Sequence, residues 1–255
     1  MKKSKVGIVG LGHVGGIMQQ LFPDAVVFDE LKEIGSKEEI NQCEIAFICV
    51  PTPMAVDGSC DTSVVEYVLK WVDSNIIVLR STVPVGFTDI WVEKTGKSIV
   101  FQPEYYGETN AHPFADPHNR NWITLGGTID ATEKVAELYQ TVFTSELIVN
   151  QVDSQTAELA KYMENAFLAA KVTFCNQFYD IAQAMGVNYS QVRETWLLDP
   201  RIGRSHTFVY PENRGYGGSC LPKDTAAILF QAKELGIKTP FLQAIIDTNS
   251  LYHEE

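Results

Sequence analysis

One cysteine stands in a setting suited to nucleophilic chemistry. Cys220 lies in the run Gly215-Tyr216-Gly217-Gly218-Ser219-Cys220-Leu221-Pro222-Lys223-Asp224, with two glycine steps before it and a proline two residues after it. A proline there suits the first turn of a helix, which puts the thiol at or just before a helix N-terminus. The partial positive charge of a helix start favours a thiolate. Up to ~2 kcal/mol from that source would move a thiol of ordinary pKa near ~8.5 by more than one unit and raise its ionised fraction about tenfold. Glycines on the approach let the backbone come close to a ligand. Taken alone, a lone cysteine is more often a small buried apolar residue, and that alternative stays open here.

A second set of polar residues falls at helical spacing. From Asp153-Ser154, which reads as a cap, to Met185 there is no proline, and the first glycine is Gly186. A helix of roughly thirty residues spans about ~45 Å, more than one small domain needs, so it is expected to join domains or build a dimer interface. Ala157, Leu159, Ala160, Phe167, Leu168, Val172, Phe174, Phe178 and Ile181 cover most of its circumference, which predicts a buried helix. Glu158, Lys161 and Asn165 fall on one stripe at i, i+3 and i+7. A buried lysine needs a carboxylate or a function, whereas a surface Glu158–Lys161 pair one turn apart is the plainer reading.

The elements that position these groups follow an alternating pattern. A short apolar run at 6–9 leads into Gly10-Leu11-Gly12-His13-Val14-Gly15, an apolar-periodic helix through Ile17, Met18 and Leu21, and a strand at 25–28 that ends in Asp29. Strand, glycine turn, helix, strand and terminal acid, with the acid about ~20 residues past the first glycine, make a dinucleotide fingerprint. Gly10 makes the turn, Gly12 admits the pyrophosphate, Gly15 lets helix and strand pack closely, and the helix start at His13 and Val14 faces the anion. Asp29 would accept from a ribose diol and repel a 2′-phosphate, which favours NAD over NADP. Further strands are predicted at 44–50, 75–79, 98–101, 122–125 and 147–149, with helices near 64–72 and 131–143.

Ligands of an open parallel sheet sit beyond the carboxyl ends of its strands. There lie Pro51-Thr52-Pro53, Ser81-Thr82, and Gln102-Pro103-Glu104-Tyr105-Tyr106-Gly107-Glu108. Pro51 and Pro53 could simply stop a strand, and Thr82 could simply cap the following helix. Glu104, flanked by proline and tyrosines, needs a partner or a raised pKa. His112 and His118 read as solvated surface. The fold class is therefore α/β: residues 1–150 form an N-terminal Rossmann-type doubly wound parallel sheet, and residues 151–255 form an all-helical dimerisation domain carrying Cys220.

Charge and composition exclude several functions. A formal net charge of −12 over 255 residues argues against a nucleic-acid or anionic-membrane surface. Five cysteines, an odd number, give neither a disulfide framework nor a metal spacing, so no metal is expected. The basic start, Met1-Lys2-Lys3-Ser4-Lys5, is followed by an apolar run that glycines break at once, and nothing approaches a membrane span. A cytoplasmic location is the default expectation.

These blocks, in this order, resemble the UDP-glucose/GDP-mannose dehydrogenase family. The matching segments are 10–15, Pro51-Thr52-Pro53 with Asp57-Gly58, Ser81-Thr82-Val83-Pro84-Val85-Gly86, Pro103-Glu104-Tyr105, Ala157-Glu158-Leu159 with Lys161-Tyr162, Asn165-Ala166-Phe167-Leu168-Ala169, Asp199-Pro200-Arg201-Ile202-Gly203, and 215–224. The resemblance implies a four-electron, NAD-dependent oxidation of a nucleotide-sugar alcohol to the uronic acid. Lys161 and a water held by Asp224 would assist loss of the alcohol proton, Asn165 with Lys161 would steady the oxyanion, and Cys220 would form a thiohemiacetal and then a thioester. Glu104 and Thr82 match positions that handle the hydrolytic water. Pro51, Thr52 and Thr82 would also line the cofactor, while Tyr105, Glu108, Tyr216 and Gly217 would meet the substrate. Arg201 matches an arginine that reaches a neighbouring subunit's substrate, which implies a homodimer through the helix at about 154–185.

Three departures qualify the match. Family members carry a third, C-terminal nucleotide-binding domain, which this sequence is expected to lack. Gly107 and Thr109 depart from the family's usual segment after the Pro-Glu pair. Arg214 stands where a glycine or proline is usual, and it is expected to hold a substrate phosphate or carboxylate. Two other readings keep the fold and change the chemistry: a single-step NAD-dependent alcohol or hydroxyacid dehydrogenase, and a catalytically silent NAD-binding homologue.

Overall fold

The computed structural model describes residues 4–106, 116–143 and 146–253. Two compact units emerge, one of Met1–Pro53 with Cys60–Lys161 and one of Met54–Ser59 with Tyr162–Glu255. The division falls inside the long helix.

In the first unit, runs of β-branched and aromatic residues make strands buried at every position. These are β1 (Val6–Val9), β3 (Ile45–Ile48) and β4 (Ile76–Leu79), joined by the shorter β2 (Val26–Phe28) and β5 (Ile99–Phe101). Burial on both faces is what helices covering a parallel sheet produce. Strands β6 (Trp122–Gly126) and β7 (Ile148–Val152) complete a seven-stranded sheet of order β2-β1-β3-β4-β5-β6-β7. The chain leaves β1 toward β2 on one side and returns to β3 on the other, so the sheet's switch point lies at the carboxyl end of β1.

Helices α1 (His13–Leu21) and α5 (Ile129–Gln140) cover one face. Met18 and Leu21 from α1 and Val135 and Tyr139 from α5 pack on Ile8, Phe47 and Val78. On the other face α3 (Ser63–Trp71) and α4 (Phe87–Thr95) place Val65, Leu69 and Trp91 against Ala46, Ile48 and Ile77. A four-residue helix, α2 (Lys37–Ile40), had no counterpart in the sequence pattern because one turn carries no periodicity. Each fully buried aliphatic or aromatic side chain contributes about 1.5–3 kcal/mol.

The sheet differs from the expected all-parallel one at a single junction. β5 and β6 pair antiparallel through Phe101 and Gly126, while β6 and β7 are parallel to each other. Apolar runs reveal which residues are buried but not the direction of the strand.

The long helix α6 (Ser154–Ala184) starts in the first unit and continues into the second. Asp153 caps it, accepting from the Thr156 amide at 2.8 Å and the Thr156 hydroxyl at 2.6 Å. Gly186 follows its end at φ +66°. Then come α7 (Tyr189–Trp196), α8 (Leu221–Glu234) and α9 (Pro240–Ser250). Small apolar clusters hold this unit together, one around Ala169, Tyr216 and Ile245 and one around Cys175, Ala182 and Tyr189. The expectation that α6 is buried nearly all round is corrected. Leu159, Met163, Phe167, Phe174, Phe178 and Ile181 are exposed on this chain, Met163 at 74%. Among the described residues no helix is long and apolar enough to cross a membrane.

Candidate functional site

The first candidate site is the start of α1. Gly10 turns the chain at φ +88°, and its amide donates to Phe28 O at 2.8 Å. A Cβ on Gly15 would lie 1.9 Å from Gly10 O, so helix and turn approach as closely as glycine alone permits. Gly12 is the N-cap, with no side-chain cap bond, and a Cβ there would meet nothing within 4 Å. The amides of this first turn therefore border open space, the arrangement that binds a pyrophosphate. Asp29 stands at the end of β2. Its carboxylate accepts from Leu11 N at 2.7 Å and Lys32 N at 3.0 Å. Partial burial raises its pKa, but those backbone bonds and the Lys32 charge outweigh it and hold the carboxyl below its ordinary value. An ionised acid with remaining lone pairs fits a ribose diol, so glycines, helix start and acid together fit the dinucleotide that the sequence implied.

Beyond β3 and β4, Thr52 is buried and Pro51 exposed, while the Ser81 hydroxyl donates to Val50 O at 2.6 Å and ties the two strand ends together. Thr82 is half-buried, and its carbonyl accepts from Cys60 Sγ at 3.4 Å. Thr82 does not cap α4. The N-cap is Gly86, in the left-handed region at φ +92°, and the capping group comes from 72 residues away. Glu158 on α6 accepts from Gly86 N at 2.6 Å, Thr88 N at 3.0 Å and Thr88 Oγ1 at 2.6 Å. With no exposed surface at all, Glu158 is a buried cap, which overturns the surface-pair reading. Burial raises its pKa against the opposing effect of these hydrogen bonds.

Glu104 has the partner its surroundings demanded. It pairs with Arg80 Nη2 and accepts from the Tyr106 amide, while Arg80 Nη1 donates to Gln102 O and Pro103 O, both at 3.0 Å. Burial works against the Arg80 charge, yet Glu104 raises its pKa further still. Lys161, 6% exposed, lies 4.8 Å from the centre of the Tyr105 ring. Arg120, 2% exposed, packs against Tyr105, Tyr106 and Trp122, and its Nη1 has no hydrogen-bond partner among the described residues. The sequence reading gave no role to Arg80 or Arg120. An arginine placed directly after four buried strand residues was the available signal for Arg80. Glu108 and His112 lie outside the described residues, and His118 is exposed, as read.

In the second unit Cys220 is the N-cap of α8 and is exposed, with Pro222 in the first turn. Asp224, 1% exposed, sits one turn on, and its amide closes on Cys220 O at 3.0 Å. Its carboxylate accepts from Asn165 Nδ2 at 2.6 Å and pairs with Lys223. The structure thus brings Asn165 and Asp224 into contact, and the thiol stands at the start of the helix that carries the acid. Tyr216 is buried and Gly217 open. Arg201 is exposed, its guanidinium forked on Asp199 Oδ1 and Oδ2. Arg214 is engaged within its own unit. Its guanidinium bonds Asn176 Oδ1 at 2.6 Å, Asn176 O at 3.0 Å and Asp180 Oδ1 at 2.8 Å, and it packs on Tyr179 and Tyr252.

Two family descriptions match this chain. The NAD binding domain of the UDP-glucose/GDP-mannose dehydrogenase family covers residues 24–143, and that family's central domain covers 155–251. The chain belongs to the UDP-glucose/GDP-mannose dehydrogenase family. A UDP-glucose 6-dehydrogenase of Bacillus subtilis is 34% identical over 223 residues, which cover 82% of this chain and 47% of that protein. One from Haloferax volcanii is 34% identical over 87% of this chain and 55% of its own length. The chain thus spans about half the length of these curated relatives. Among solved structures, a UDP-glucose dehydrogenase from Pyrobaculum islandicum superposes with a TM-score of 0.84 at 26% identity, covering 97% of this chain and 68% of that one. These matches agree with the mostly parallel sheet and long helix seen in this family member.

Proposed function

We propose that this chain is an NAD-dependent nucleotide-sugar 6-dehydrogenase that carries a primary alcohol through the aldehyde to the acid. The observation that carries the reading is the exposed Cys220 thiol at the bare start of α8, one turn before a buried Asp224 engaged by Asn165. NAD, held by the glycine loop and Asp29 and lined by Pro51, Thr52 and Thr82, supplies a hydride acceptor for each oxidation.

Lys161, with a water held by Asp224, takes the alcohol proton, and Lys161 with Asn165 steadies the oxyanion that develops. Cys220, as thiolate, adds to the aldehyde carbon, and the oxygen takes up a proton to give a thiohemiacetal, which becomes a thioester when hydride leaves that carbon and the hydroxyl releases its proton. Water then attacks the acyl carbon, the C–S bond breaks, and the thiolate is regenerated with the carboxylate product. Glu104 and Thr82 handle that water. Tyr105, Glu108, Tyr216 and Gly217 contact the sugar, and Arg201 reaches the substrate of a second copy.

A homodimer forms through the exposed apolar stripe of α6. Its members recur at spacings of three, four or seven, the period of paired helices. Phe174→Glu should convert the dimer to monomer in sedimentation; an unchanged assembly would remove the pairing. The location is cytoplasmic, where the thiols stay reduced. The reaction itself is tested by supplying the chain with NAD and a panel of nucleotide sugars and counting NADH per sugar consumed. Two NADH are expected. One would indicate the single oxidation, and none with any sugar would indicate a silent NAD-binding homologue.

A further inference from the structure

The loop that delivers Cys220 to α8 is held firmly at its upstream end, by residues of α6 and α9. Upstream, Arg214 is held by Asn176 and Asp180 of α6, with Tyr179 and Tyr252 against its guanidinium. Asn176, 1% exposed, also takes the Gly215 amide at 3.2 Å. Asn249 of α9 then grips both sides of the next peptide position: Oδ1 accepts from Tyr216 N at 2.7 Å, and Nδ2 donates to Tyr216 O at 2.9 Å. His253 Nε2 lies 3.1 Å from the same carbonyl. The fit leaves no spare room. Gly215 sits at φ +73°, and a Cβ there would lie 2.6 Å from Asn249 Oδ1. Downstream, Gly217, Gly218, Ser219 and Cys220 are all exposed. Tyr216 is thus held four residues before the thiol, and Asp224, held by Asn165 and Lys223, stands four residues after it.

We propose that Arg214 and Asn249 are positioning residues for the Cys220 thiol, acting through the backbone of Gly215 and Tyr216 and touching neither sugar nor cofactor. The proposal rests on Cys220 being the nucleophile of the reaction proposed above. Its consequence is specific to one step. Loss of the alcohol hydride needs no thiol, whereas oxidation of the aldehyde begins with C–S bond formation and depends on where the sulfur stands.

Asn249→Ala removes both bonds to Tyr216, and Asn249→Asp keeps the acceptor while removing the donor. Asn249→Ala should slow aldehyde oxidation about tenfold or more while changing alcohol oxidation about twofold or less, so that free aldehyde appears among the products. Asn249→Asp should fall between wild type and Asn249→Ala, and Arg214→Lys, which loses the planar fork, should act in the same direction. Amide hydrogen exchange at residues 215–219 should rise about tenfold in Asn249→Ala with the exchange of β1 and β3 unchanged, a readout that needs no substrate. Equal losses in both oxidation steps, or unchanged exchange at 215–219, would overturn the proposal. If Asn249→Ala fails to fold, Asn249→Asp and Arg214→Lys decide by the same step ratio. If the wild type yields no NADH with any sugar, the reaction proposed above fails, and the exchange measurement alone decides whether the latch holds the loop.

Discussion

Two helix starts carry the proposed chemistry, and they are built in opposite ways. At the start of α1 the N-cap is Gly12 and at the start of α8 it is Cys220, and neither helix has a side-chain cap bond. A helix start carries a partial positive charge that favours an anion or a thiolate. The first is shaped by neighbours close in sequence: β1, the turn at Gly10 and the packing of Gly15 on that turn. The second is shaped from a distance, by Asn165 and Asn176 of α6 and Asn249 of α9. A locally built site can be broken by one atom within it, whereas a remotely built one is broken from outside.

The largest effect should come from Gly15→Ala. Its Cβ would meet backbone, not a side chain that can move aside, so the loss in urea unfolding should be about 1–3 kcal/mol, and NAD binding should be lost with it. Unchanged unfolding would mean that the α1 start is not locally set.

Glu158 gives the next effect, because it supplies from α6 the cap that α4 lacks. Glu158→Ala leaves the Gly86 and Thr88 amides without their acceptor and should cost about 1–3 kcal/mol. Its pH dependence has a definite sign. Burial raises the Glu158 pKa above its ordinary 4.5. The folded state therefore keeps this proton to higher pH than the unfolded chain, and the stability it contributes is full below 4.5 and is lost as pH rises through the folded value. The unfolding free energy of wild type minus that of Glu158→Gln should accordingly shrink as pH climbs from 4.5. A difference that grows would contradict the buried-cap account.

Gly12→Ala sharpens the contrast with the smallest effect on folding. Its Cβ meets nothing within 4 Å, so unfolding should be nearly unchanged, while NAD affinity, measured by calorimetry, should fall about tenfold as the methyl enters the pyrophosphate's space. Undiminished affinity would argue that the cofactor lies elsewhere.

The same contrast explains what the sequence made legible. The glycine turn, Asp29 and the strands around them were readable because their contacts recur at short, fixed spacings. Cys220 at a helix start was readable from its glycines and Pro222. Glu158 was misread as half of a surface pair because its partners, Gly86 and Thr88, lie 72 and 70 residues away. The partners of Arg214 were hidden in the same way, since nothing near it in the chain announces Asn176 or Asp180. The exposed side of α6 was also hidden: an apolar surface reads alike whether a neighbouring helix covers it or, as here among the described residues, it is exposed. The reversal between β5 and β6 escaped because apolar runs do not encode direction.

The central claim is that the thiol at the start of α8 is the nucleophile of the second oxidation. Cys220→Ser, supplied with NAD and the sugar that the wild type consumes, tests it by product analysis. The account predicts that no uronic acid forms and that turnover stops at the aldehyde stage, with at most one NADH per sugar. Uronic acid formed at the wild-type rate, with two NADH per sugar, would contradict it.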